Sequence, residues 1–157
     1  MTTTIAVPTQ PRLAFGLVLP EAYRAMSALH SAAENGLETA LVDLVCLRTA
    51  QVNGCAYCLD MHSKDALHHG ETSDRLFMLD AWREAPCYTA RERAALALTD
   101  AVTLVRETHV PDDVWQEAAA AFDEQELAAL LAAIISSNSW NRLEIAVREP
   151  AGTYDPR

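Results

Sequence analysis

Nowhere in this chain of 157 residues do apolar and polar side chains alternate over the run of positions that a half-buried strand requires. Apolar residues recur instead at helical intervals, and each recurring stretch stops at a strong breaker: Asn35-Gly36, Asn53-Gly54, Gly70, Pro86, Pro111 or Pro150. The spacing predicts helices over 21–34, 38–52, 55–69, 72–82, 89–106, 112–122 and 123–147. Thr89-x-x-Glu92 is a capping-box pattern, Pro111 suits a first helical position, and Gly70 is placed to cap a helix C-terminus. The stretch 38–52 is apolar almost all round, which argues burial on most sides. An all-α fold follows: one compact orthogonal helical domain of about six to seven helices over residues 21–148. Residues 1–20 are expected to be loosely ordered and residues 149–157 to form a C-terminal tail. No linker, low-complexity tract or repeat divides the chain.

Half of the residues are hydrophobic, enough for a domain of this length to bury its own core. No stretch reaches the ~20 consecutive apolar residues of a membrane span. Met1 to Gln10 lacks a basic start followed by an apolar run, so a soluble, unexported, cytoplasmic protein is expected. Twelve basic residues stand against 22 acidic ones, a formal charge of −10, and no Lys/Arg block offsets it. Nucleic acid and anionic membrane surfaces are therefore excluded as partners.

The chemistry-bearing stretch is Cys55-Ala-Tyr-Cys58-Leu-Asp-Met-His62. At about 100° per residue, positions i, i+3 and i+7 of a helix share roughly 60° of arc, so two thiols and an imidazole meet on one face. At a helix start such a pair can close a small disulfide, and the helix N-terminus favours the thiolate. Zinc is the competing reading, with Cys55, Cys58 and His62 as ligands and a fourth from His68, His69 or water. Side chains so much farther along the same rod do not readily close that tetrahedron. Cys46 reads as a buried small hydrophobe, and Cys87, after Pro86, is given no role. His68 and His69 read as groups capping a helix C-terminus. Tyr57 and Trp140 read as core or interface aromatics, Tyr57 having the lesser option of lining a pocket; Asn138, Asn141 and Arg142 read as bonding helix ends or a neighbouring subunit.

The run Leu44-Val-Cys-Leu-Arg-Thr-Ala-Gln-Val-Asn-Gly-Cys-Ala-Tyr-Cys-Leu-Asp-Met-His-Ser63, with Trp82, Arg91-Glu-Arg-Ala-Ala-Leu96 and Asn138-Ser-Trp-Asn-Arg-Leu143, resembles the alkylhydroperoxidase D-like branch of the carboxymuconolactone decarboxylase superfamily. The likeness covers roughly residues 20–148. It implies an all-α fold, assembly into homotrimers or homohexamers, and reduction of a hydroperoxide by the paired cysteines with no metal or flavin cofactor. It also implies a dithiol reductant, either a lipoyl protein or a thioredoxin-like one. By this likeness Cys58 is the peroxidatic residue and Cys55 the more exposed resolving residue that meets the external reductant; spacing alone leaves their order open. His62, with an ordinary pKa of about 6.5, would take the thiol proton near neutrality. The family places an acidic residue, usually Glu, where this chain has Asp43, completing a proton relay. Asp43 shares a helical stripe with Cys46, Leu47 and Ala50, and so is expected to be shielded from water. Its side chain is shorter than Glu by roughly 1.5 Å. Two other functions fit the likeness less well: a decarboxylase acting on a cyclic lactone acid, which does not require the cysteine pair, and a redox-sensing oligomer without turnover.

Overall fold

The computed structural model describes residues 9–156. Its helices are α1 (Phe15–Val18), α2 (Pro20–Glu34), α3 (Thr39–Asn53), α4 (Ala56–His68), α5 (Ser73–Met78), α6 (Ala90–Thr103), α7 (Val105–Thr108), α8 (Asp112–Ala121) and α9 (Glu124–Val147), with a 3-10 turn at Leu79–Ala81. No strand occurs among the described residues, and the all-α class holds. The count exceeds six to seven because α1 and α7 are four-residue helices. The first lies within the segment expected to be loose, where Arg12 N–H also donates to Val147 O at 2.7 Å; residues 1–8 lie outside the described part. The second arises because the single helix expected over 89–106 is interrupted at Leu104, which leaves helical geometry (φ −95°, ψ 31°).

Most boundaries follow from local chemistry. Thr89 with Glu92 and Asp123 with Glu126 close full capping boxes at the starts of α6 and α9. Gly54 adopts φ 69° and sends its N–H to Ala50 O and Gln51 O, so α3 ends and the chain turns at once into α4. The Asn53 amide ties this corner to α9, donating to Asn138 Oδ1 at 3.1 Å and Asn141 Oδ1 at 3.0 Å.

α3 is the central rod, buried continuously from Leu41 to Ala50. Leu41 and Val45 face a core shared with Leu98, Leu130 and Ile134, while Leu44 and Leu47 face a second core with Leu79, Trp82, Tyr88 and Leu96. Full burial of each such side chain contributes about 1.5–3 kcal/mol. α2 lies along α9, and α4 packs on α3 and α9. The C-terminal tail runs over α4: Gly152 N–H donates to Asp60 Oδ2 (2.9 Å), Lys64 Nζ to Tyr154 O (2.7 Å) and the Tyr154 hydroxyl to Asp65 Oδ1 (2.7 Å). No helix among the described residues is long and apolar enough to cross a membrane.

Candidate active site

Cys55 stands just before α4, not inside it. Its backbone is extended (φ −82°, ψ 102°), and its Sγ accepts the Cys58 N–H at 3.3 Å, the position of an N-cap. The helix therefore starts at Ala56, one residue later than the spacing predicts. Cys55 and Cys58 are joined as a disulfide with Cα atoms 5.3 Å apart, well inside the range a disulfide spans. The expected difference in exposure is absent: each cysteine is 1 % exposed. The capping geometry explains it, because Cys55 Sγ folds back over the first turn and packs on Ala50. Only Cys58 of the two lines the adjoining cavity.

That cavity, of about 310 Å³, opens between α2, α3, α4 and α9. Cys58, His62 and Asp43 all line it. His62 is 7 % exposed, and neither ring nitrogen has a protein partner among the described residues. Burial first, and then His30 nearby, push its pKa down to about 3. This departs from the expectation of a group titrating near neutrality: with the disulfide closed, His62 is a neutral imidazole facing the cavity.

Asp43 is also 7 % exposed, as the stripe it shares with Cys46, Leu47 and Ala50 implies. Its partner is His69, whose Nδ1–H donates to Asp43 Oδ2 at 2.7 Å. Burial holds the Asp43 carboxyl above the usual carboxylate range, with the His69 hydrogen bond and charge opposing. His69 does occupy the C-cap of α4, its backbone N–H bonded to Asp65 O, but its half-exposed side chain also completes the cavity wall. A signal for this was present in the sequence: His69 follows His62 by the same interval that separates His62 from Cys55, and so falls on the same face. Glu144 of α9 also lines the cavity and, like His30, Glu34 and Asp65, was left out of the sequence reading. It is half-buried, and burial followed by the charge of Glu149 pushes its pKa up to about 7.

Cys46 is fully buried at the cavity floor, its thiol pushed up to about 12 by desolvation, an unreactive state. Cys87 packs against the second core, away from the disulfide. Tyr57 and Trp140 line the cavity, and Trp140 meets Tyr23 edge to face with ring centroids 4.9 Å apart. Among the described residues no three His, Cys, Asp or Glu side chains converge as a metal-holding group.

A sequence profile of the carboxymuconolactone decarboxylase family matches residues 20–101. An uncharacterised Bacillus subtilis protein, YdfG, is 34% identical over 143 residues, covering 90% of this chain and 97% of its own. A crystal structure of an Agrobacterium tumefaciens protein of unknown function, proposed there as the antioxidant defence protein AhpD, superposes with TM-score 0.87 at 36% identity, covering 92% of this chain and all of that one. The chain is an alkylhydroperoxidase D-like member of the carboxymuconolactone decarboxylase family. A Ralstonia eutropha peroxidase-related protein with an AhpD core shares the fold at TM-score 0.76, with 17% identity over 91% of this chain and 77% of its own. Family membership supports an enzyme with peroxidase-related or decarboxylase-like chemistry.

Proposed function

We propose that the protein is a thiol-dependent peroxidase whose nucleophile is Cys58. The observation that carries this reading is that Cys58, alone of its redox pair, faces a cavity which also holds His62 and the Asp43–His69 pair. In the reduced enzyme the Cys58 thiol gives its proton to His62; a thiolate beside the ring favours the protonated imidazole that burial otherwise disfavours. The thiolate attacks the terminal oxygen of a hydroperoxide, the oxygen–oxygen bond breaks, and the alkoxide takes the proton from His62 and leaves as alcohol. Cys58 is now a sulfenic acid. The Cys55 thiol attacks its sulfur, the S–O bond breaks, and water departs as the disulfide forms. Asp43 and the half-exposed His69 link the cavity to solvent and carry protons between them.

Reduction runs the other way, with a dithiol as electron donor. Since the cavity shows only Cys58, a slender dithiol such as a dihydrolipoyl arm attacks there and expels Cys55 as thiolate. Cys55 is suited to leave, because the N–H that it accepts at the helix start stabilises its negative charge. The protein acts in the cytoplasm as a homotrimer or homohexamer, as its likeness to the family implies. The lactone decarboxylase reading fits less well. The cavity is lined by Glu34, Asp43, Asp65 and Glu144 and by no lysine or arginine, so an acid substrate meets like charge.

Steady-state consumption of cumene hydroperoxide with dihydrolipoamide as donor tests the reading. Cys58→Ser is expected to abolish turnover; comparable turnover in that variant overturns the role.

A further inference from the structure

Glu144 has no part in the chemistry above. It projects from α9 one turn beyond Trp140, at the wall shared by the catalytic cavity and a second recess bounded by α1. Its carboxylate makes no hydrogen bond or ion pair among the described residues. A half-buried carboxyl without a partner is held at a cost in stability, a cost that a ligand would offset. Aromatic rings line the same walls. Trp140 and Tyr23 meet edge to face at 4.9 Å and 72°, and Tyr57 of α4 lies close enough for the charge of Glu144 to disfavour its phenolate.

Among the described residues, none supplies a cation to this corner. Neither the cavity nor the recess is lined by a lysine or arginine. Of the histidines in the cavity, His62 is neutral, His30 faces Glu34 at 3.6 Å, and His69 faces Asp43 at 2.7 Å, so a charge on either of the last two is offset by its own carboxylate. What complements aromatic faces beside a carboxylate without a hydrogen-bond or ion-pair partner is an organic cation.

We propose that Glu144, with Tyr23, Tyr57 and Trp140, forms a binding site for the ammonium group of an organic cation whose apolar body extends through the cavity toward Cys58. As a statement about substrate, this rests on the peroxidase reading: it selects a cationic hydroperoxide over an anionic one. As a statement about binding, it needs no turnover.

Titration calorimetry at pH 8, above the raised pKa of Glu144, on the disulfide form with three probes of similar shape tests it. These are benzyltrimethylammonium, its uncharged carbon isostere neopentylbenzene, and the anion phenylacetate. The cation is expected to bind at least about ten-fold more tightly than either of the others. Glu144→Gln keeps the shape and removes the charge, and is expected to lower the cation-to-neutral ratio to the roughly two- to five-fold that the rings alone supply, while binding of neopentylbenzene stays as in the wild type. Tyr23→Leu, at a partly exposed position, is expected to weaken the cation selectively. Equal affinity for cation and neutral isostere, tighter binding of phenylacetate, or a ratio that survives Glu144→Gln would overturn the proposal. Benzylammonium binding tighter than the quaternary probe supports it and identifies a hydrogen-bonding primary ammonium as the preferred head group. A failed peroxidase reading shows itself in the Cys58→Ser assay and leaves this measurement untouched.

Discussion

At the scale of single residues, the proposed proton relay runs through the pair that Asp43 makes with His69. Asp43 is buried, and its bond to a half-exposed imidazole gives it a path to water that it lacks alone. Removing either group is expected to slow peroxide turnover by about 100-fold, the low end of what a positioned acid–base group contributes. Asp43→Asn should also move the pH midpoint of Cys58 alkylation in the reduced protein. Turnover and alkylation profiles unchanged in both Asp43→Asn and His69→Asn would remove the pair from the mechanism. Glu144 gives a stability prediction with a definite sign. Its folded pKa of about 7 lies above its ordinary 4.5, so folding favours the protonated form and stability falls as pH rises between the two values. Above pH 7 the wild type bears the whole cost, on the order of 1–3 kcal/mol. Glu144→Gln is therefore expected to raise Tm by several degrees at pH 8 and leave it nearly unchanged at pH 4.5; a uniform shift at both pH values would contradict this. The cysteine pair, His62 and Asp43 were legible from spacing and likeness. His69 was hidden by its place at a helix end, where capping explained it without reference to α3. The isolation of Glu144 is a property of packing, which no local pattern marks.

At the scale of elements, breakers and caps did most of the specifying, and the failures have local causes. The expected 89–106 helix opens on good formers, but its end carries the β-branched Val102, Thr103 and Val105, and there α6 stops at Thr103 and the chain restarts as α7. The burial of Cys55 was unreadable because an N-cap and a first helical residue have the same sequence spacing but opposite side-chain directions. The corner before it depends on Gly54, whose φ of 69° disfavours a side chain although an added Cβ would meet nothing within 4 Å. Gly54→Ala is accordingly expected to cost about 1 kcal/mol, by backbone conformation alone, in denaturant unfolding. A neutral effect would show that the corner relaxes freely. Gly36 differs, since a Cβ there would come to 2.5 Å from Ala129 Cβ and push the α2–α3 connection off α9.

At the scale of the molecule, the all-α class was legible because helical periodicity and breakers recur along the chain. The cavity was not, because α2, α3, α4 and α9 come together only after the two cores form on opposite sides of α3. The acidic composition had a local consequence: the cavity concentrates carboxylates and is lined by no lysine or arginine. The central claim, that Cys58 and Cys55 pass two electrons to an oxygen–oxygen bond, is tested most directly by counting thiols in a single turnover. Pre-reduced protein is mixed with one equivalent of cumene hydroperoxide, and free thiols and cumyl alcohol are measured together. The expected result is two thiols lost for each alcohol formed, with neither change in Cys58→Ser. Alcohol formed without thiol loss, or equal thiol loss in Cys58→Ser, would contradict it.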